Sequence, residues 1–260
     1  MESLRGVWLG KPGRAHVERP GHAGAGQSQV SGKGHRYGSC RREDPAAIRG
    51  SGGVFSQGRY RLPPELFTHL PPSAPGESGF TPLISEGGKG WAQCGPGQFT
   101  VDGGVATGHG GMGLWWYTNQ SFTNFVLRGE WKQEQELADS GIFVRFPHPG
   151  KDPWVAVKQG HEMEIGDPAP QKPEEMTGSI YPFNPPAEAP VRPVGQWNDY
   201  ELVAMGHNYS VRINGKVVNT WTDPKRRSAS GHIGIQNYND GKTVRHRKVR
   251  IKALPAGAPL

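Results

Sequence analysis

From Gly79 onward, short apolar or alternating runs follow one another, separated by Gly, Asn, Asp and Pro. The pattern predicts strands near 98–101, 104–107, 113–117, 122–131, 141–146, 160–165, 178–181, 199–205, 208–213, 216–221, 232–236 and 243–252. Twelve short strands at near-regular spacing, without a helical period, predict an all-β fold in the form of a two-sheet sandwich. Parity sorts the faces. In 122–131, Phe125, Leu127 and Gly129 share one face, and Val126, Arg128 and Glu130 the other. Ile142, Val144 and Phe146 form a core face, which leaves Phe143 and Arg145 opposite. In 160–165, Met163 and Ile165 face the core with His161, so Glu162 and Glu164 point away from it together. Between 208 and 221, Asn214-Gly215 supplies the two φ > 0 residues of a type I′ hairpin turn.

Upstream the character differs. Residues 62–79 are Pro-rich and read as a linker. Residues 1–61 carry eleven Lys/Arg against four Asp/Glu, so the whole net charge of +7 belongs to this segment. Its basic residues are scattered among Gly, His and Ser with no strand or helix period. It reads as a disordered basic arm too poor in apolar surface to fold. The expected organisation is an arm at 1–61, a linker at 62–79, one sandwich domain at 80–254 and a tail at 255–260.

Composition removes several classes. Gly (39) and Pro (24) together make roughly a quarter of the 260 residues, which disfavours a helical protein. No window holds 18 apolar residues, so no transmembrane helix is expected. The N-terminus as written lacks the apolar core of a secretory signal, and the compartment stays open. Cys40 and Cys94 are too few for a disulfide scaffold or an all-Cys zinc site. The histidines of the strand region show no pair at helical metal spacing. The glycine run 104–113 has no P-loop Lys-Ser/Thr and precedes Leu-Trp-Trp-Tyr rather than a helix.

The densest candidate chemistry is Gly160-His161-Glu162-Met163-Glu164-Ile165-Gly166-Asp167. Two same-face carboxylates repel, so one should hold its proton to high pH or bind a cation. Asp167 joins them if Gly166 makes a bulge. The bland reading is a solvated face balanced by Lys and Arg, and spacing alone divides the two evenly. Arg145 either neutralises these carboxylates or stabilises a developing anion. Tyr181, Trp197 and Asn198 combine rings and an amide of the kind that suit a sugar, which has apolar C–H faces and polar edges.

The order of motifs resembles the 3-keto-disaccharide hydrolase family (3-keto-glucoside lyase / 3-keto-glucal hydratase) of the concanavalin A-like lectin/glucanase superfamily. The resemblance rests on Phe99 to Val105, Phe122 to Leu127, Asp139 to Arg145, Gly160 to Asp167, Thr177 to Tyr181, Trp197-Asn198, Asn214-Gly215 and Gly231 to Gln236. It spans about 98–252. Three departures stand out. Glu164 replaces a usual Gln, Asp139 replaces a usual Asn, and 244–249 keeps Arg247 while losing a Phe and an Asn.

The resemblance implies a jelly roll and an enzyme that cleaves glycosides already oxidised at C3. C2 proton abstraction, elimination of the C1 oxygen and hydration would follow in turn. It implies Glu162, Glu164 and Asp167 as base and acid, Arg145 as enolate stabiliser, and Tyr181, Trp197, Asn198 and Gln236 as sugar contacts. A divalent cation on the carboxylates could assist or replace Arg145. The expected partner is a carbohydrate substrate, without nucleic acid or membrane, and the expected state a monomer. Two other classes fit the same residues: a carbohydrate-binding module without turnover, and a retaining β-glucanase reading Glu162-x-Glu164-x-x-Asp167 as its E-x-D-x-x-E pattern, with a shortened acid/base.

Overall fold

A computed structural model describes residues 78–238 and 241–255. The basic arm, all but the last two residues of the linker and all but Pro255 of the tail lie outside the described residues. Fourteen strands run through the rest: β1 (Thr81–Pro82), β2 (Trp91–Cys94), β3 (Gln98–Asp102), β4 (Val105–His109), β5 (Gly113–Tyr117), β6 (Phe125–Gln133) and β7 (Ser140–Phe146). One helical turn and a half, α1 (Trp154–Gln159), precedes β8 (His161–Ile165), β9 (Ile180–Tyr181), β10 (Asn198–Met205), β11 (Asn208–Ile213), β12 (Lys216–Thr222), β13 (His232–Asn237) and β14 (Val244–Ala253).

The strands form two antiparallel sheets in a jelly-roll sandwich. One runs β12-β11-β10-β6-β14-β4-β3, with β1 beside β14. The other runs β2-β5-β13-β7-β8-β9. All twelve expected strands are present, with ends shifted by up to three residues. The sequence reading missed β1, β2 and α1. β2 is four residues between glycine-rich turns, and Trp91 is fixed by distant contacts, stacking on Trp115 at 4.1 Å and donating to Leu83 O at 2.7 Å. α1 is six residues with two valines, too short to display a helical period.

The inter-sheet core follows strand parity. Phe125, Leu127 and Trp131 of β6 meet Ile142 and Val144 of β7 and Met163 and Ile165 of β8, all buried. Gly129 has no side chain because the Tyr200 ring of β10 occupies that space. At the β11–β12 turn, Asn214 (φ 47°) and Gly215 (φ 82°) adopt the left-handed pair the type I′ hairpin requires. The outer face of the eight-stranded sheet is a ladder of cross-strand ion pairs. Glu201 bridges Arg128 and Arg212, and Glu130 bridges Arg247 and Lys248. The outer face of the six-stranded sheet differs. Leu114, Trp116, Phe143 and Phe146 form a second apolar cluster there with Ala156 of α1.

Candidate functional site

Strand β8 sets the site. Core parity points Met163 and Ile165 inward and leaves Glu162 and Glu164 on the outer face of the six-stranded sheet. Both are nevertheless buried, at 3% and 7% exposure. Walls on either side cause this. Tyr181 of β9 is the cross-strand partner of Glu162, and the segment 166–179 folds over the end of β8. That segment is pinned by its backbone and by side chains, the Thr177 hydroxyl among them. Glu164 N–H donates to Ser179 O and Gly178 N–H to Glu164 O. Thr177 Oγ1 accepts from Gly166 N–H at 3.0 Å and donates to Gly166 O at 2.8 Å.

The two glutamates open into a cleft of about 600 Å³. Its walls include Asp139, Asp167, Lys172, Glu175, Tyr181 and Gln236, with Trp154, Tyr238, Leu137 and Lys242 also lining it. The carboxylates far outnumber the lysines, and Lys172 is engaged with Glu175 at 2.7 Å. Burial, then the charge of Asp139, raises the Glu162 pKa well above the usual carboxylate range. Burial raises that of Glu164 likewise, followed by the charges of Glu162, Asp139 and Glu175. Asp139 is pushed up to about 6, by burial and then by Glu175. Burial and the same carboxylates raise the Tyr181 phenol, which keeps its proton at neutral pH. Among the described residues, Glu162 Oε1 and Gln236 Oε1 are buried without a hydrogen-bond partner. Leaving such atoms unpaired is costly, and a ligand donor would satisfy them.

Of the residues expected from sequence, the structure brings Glu162, Glu164, Asp167, Tyr181 and Gln236 into one cleft. Arg145, Trp197 and Asn198 lie elsewhere. Arg145 was expected beside the glutamates, but β7 carries a bulge at this residue. The β13 pairing shifts between His232 and Ile233, and Arg145 takes a left-handed φ of 57°. The bulge turns Arg145 to the core side and Phe146 to the outer cluster. The guanidinium is fully buried and donates to the carbonyls of Thr123 and Gly206 and to Tyr209 Oη at 3.0 Å. It heads a buried chain. Tyr209 Oη lies 3.0 Å from His161 Nδ1, and His161 Nε2 lies 3.1 Å from Asp223 Oδ2. Burial holds the His161 pKa down near 4, so the ring is neutral, accepts from Tyr209 and donates to Asp223.

Trp197 lies on the outer face of the other sheet, its ring 3.9 Å from the Arg247 guanidinium and 5.4 Å from Lys132 Nζ. Asn198 is a buried brace. Its Oδ1 accepts from Arg192 N–H at 2.7 Å and from Asn214 Nδ2 at 2.8 Å, tying the preceding loop to the β11–β12 turn. The sequence reading missed Asp139, Glu175, Trp154 and Tyr238 as wall residues. Asp139 stood out only as a departure from the resembled pattern. The other three sit in turns or the short helix, where no parity applies. Among the described residues, no three His, Cys, Asp or Glu side chains converge in a geometry that could hold a metal ion.

Two buried same-face carboxyls thus open into a cleft on one sheet of a jelly-roll sandwich. The chain belongs to the 3-keto-alpha-glucoside-1,2-lyase-like domain family, which matches residues 79–252. Crystal structures of two Parabacteroides distasonis ATCC 8503 proteins, each provisionally described as a glycosyl hydrolase, share the fold. The first has a TM-score of 0.57 at 20% identity over 67% of this chain and 99% of that one. The second has a TM-score of 0.53 at 23% identity over 68% and 84%. No curated protein matches the chain in sequence.

Proposed function

We propose that the protein cleaves 3-keto-glucosides by proton abstraction at C2, elimination at C1 and hydration of the product. The observation that carries this reading is the Glu162/Glu164 pair: two buried same-face carboxyls, both with raised proton affinity, opening on one cleft. Like charges in a desolvated site do not ionise together, so one carboxyl is ionised while the other keeps its proton.

The ionised member takes the C2 proton, and the C2–H electron pair becomes an enolate on the C3 oxygen. The Tyr181 O–H and the Lys242 ammonium, which line the same cleft, would stabilise that oxygen in the role first assigned to Arg145. The enolate collapses to a C1=C2 double bond and expels the C1 oxygen. The protonated carboxyl hands its proton to that leaving group. Water then adds at C1 as a proton returns to C2, giving the free 3-keto sugar. Asp139, with a pKa near 6, can exchange protons with the pair at neutral pH. Asp167, on the rim of the same cleft, is the candidate reserve acid for the hydration step.

The test is incubation with p-nitrophenyl 3-keto-glucoside and with its unoxidised parent, following nitrophenol release. Release from the keto compound alone is expected, and Glu162→Gln should lower kcat/KM by at least ~100-fold. Equal release from both compounds would favour a glucanase. Binding without release from either would favour a binding module.

A further inference from the structure

We infer that Trp154 and Tyr238 form an aglycone subsite that selects leaving groups with a flat or apolar-faced ring; this rests on the reading of the cleft given above. Large apolar side chains exposed on this domain are few, and three of them, Leu137 (59%), Trp154 (40%) and Tyr238 (44%), line the one cleft that holds the glutamates. Scattered exposed apolar groups need no explanation, but several gathered on the wall of a polar cleft do. Trp154 and Tyr238 also meet each other, with ring centres 6.2 Å apart and planes at 83°. Two rings at right angles make an L-shaped corner. A third ring can stack on one of them and take an edge contact from the other, the two arrangements aromatic groups prefer.

Each member has a rigid mount. Trp154 begins α1, which packs on β7 and β8, and its N–H donates to Asp152 Oδ1 at 3.0 Å. Tyr238 follows Asn237, whose Nδ2 donates to the carbonyls of Gly110 and Gly111. The chemistry divides accordingly. Carboxyls, Tyr181 and Gln236 offer hydrogen bonds and charge to the oxidised ring, while the Trp–Tyr corner offers apolar surface that such a polar ring does not need. A volume of about 600 Å³ falls within the range of pockets that enclose ligands larger than one small ring. Either an aryl group or a second sugar presents the required ring face.

The experiment compares wild type, Trp154→Ala, Trp154→Phe and Tyr238→Ala on three 3-keto-glucosides carrying methyl, p-nitrophenyl or glucosyl aglycones. Both alanine variants should lose about tenfold in kcat/KM on a ring-bearing substrate, mainly through KM, and stay within about twofold on the methyl compound. Trp154→Phe should restore most of the loss. The substrate that suffers more, nitrophenyl or glucosyl, identifies the source of the ring. Equal losses on all three compounds, or none, would overturn the subsite. If wild type turns over none of them, the catalytic reading fails separately, and calorimetric binding of the unoxidised p-nitrophenyl and methyl glucosides decides the subsite. Weaker nitrophenyl binding in Trp154→Ala supports it, and unchanged binding overturns it.

Discussion

Glu162 occupies the space above Gly141: a Cβ added at 141 would overlap the Glu162 carboxylate from the neighbouring strand. Gly141 sits within regular β7 and pairs with Glu164, so the glutamate side chain, and not a left-handed backbone, is what excludes a larger residue there. Gly141→Ala should destabilise by ~1–3 kcal/mol, the usual range for overpacking, or displace the carboxylate and lower activity. Glu162→Ala removes the obstruction, so the added methyl should then be nearly neutral. Urea unfolding of both singles and the double gives the coupling. Strict additivity would mean that the two residues do not share this space.

Arg145 fixes the far end of the same two strands. Its guanidinium satisfies buried carbonyls and the Tyr209–His161–Asp223 chain. Replacing it by Met leaves those acceptors unpaired and should cost about 3 kcal/mol or more of stability. Lys, with a point charge and no planar fork, should recover only part of this. A direct catalytic role predicts the reverse for Arg145→Lys: lost turnover at unchanged stability. Denaturant midpoints and kcat on one preparation separate these outcomes.

Parity explains both what the sequence revealed and what it hid. Glu162 and Glu164 were legible because β8 alternates without interruption and Met163 and Ile165 name its core face. Arg145 was misplaced because a single inserted residue reverses parity, and neither Val144 nor Phe146 signals a bulge. The paired strands register that bulge only through β13, about 90 residues away in sequence. The walls of the cleft were hidden for a different reason. Trp154, Glu175 and Tyr238 lie outside the long strands, and their meeting depends on how distant segments close over one sheet. Trp197, an aromatic beside an amide, carried a sugar-site signature but serves as a lid on the Arg247 guanidinium.

That placement of Trp197 is itself testable. Its ring covers charged groups on the outer face of the eight-stranded sheet, whereas the cleft lies on the outer face of the other. Trp197→Ala should therefore leave kcat/KM within about twofold while costing ~1 kcal/mol through the lost cation–π contact. A hundredfold loss of activity in a variant that still folds would return Trp197 to the site.

The buried titrating groups set opposing limits on stability, and the sign of each follows from proton counting. Glu162, Glu164 and Asp139 have folded pKa values raised above their unfolded values, so the native state holds protons that the unfolded chain releases. Their contribution is present below the ordinary carboxylate range and is lost as pH rises, for Asp139 through about 6. His161 and His246 behave oppositely. Burial depresses them to about 4 and about 3, so stability held above pH ~6.5 is lost as the solution is acidified toward those values. A glutamine at 162 cannot ionise and escapes the alkaline limb. Glu162→Gln should thus raise the melting temperature by a few degrees or more at pH 8, where the wild-type carboxyl is under most pressure to release its proton. As the pH falls the wild-type carboxyl takes up its proton as well, and the gain should shrink toward zero. Calorimetric scans of both proteins at half-unit steps from pH 4.5 to 8.5 measure the difference. A gain that stays constant across that range, or a loss that grows with pH, would show that Glu162 is the ionised member of the pair and that Glu164 is the one that keeps its proton.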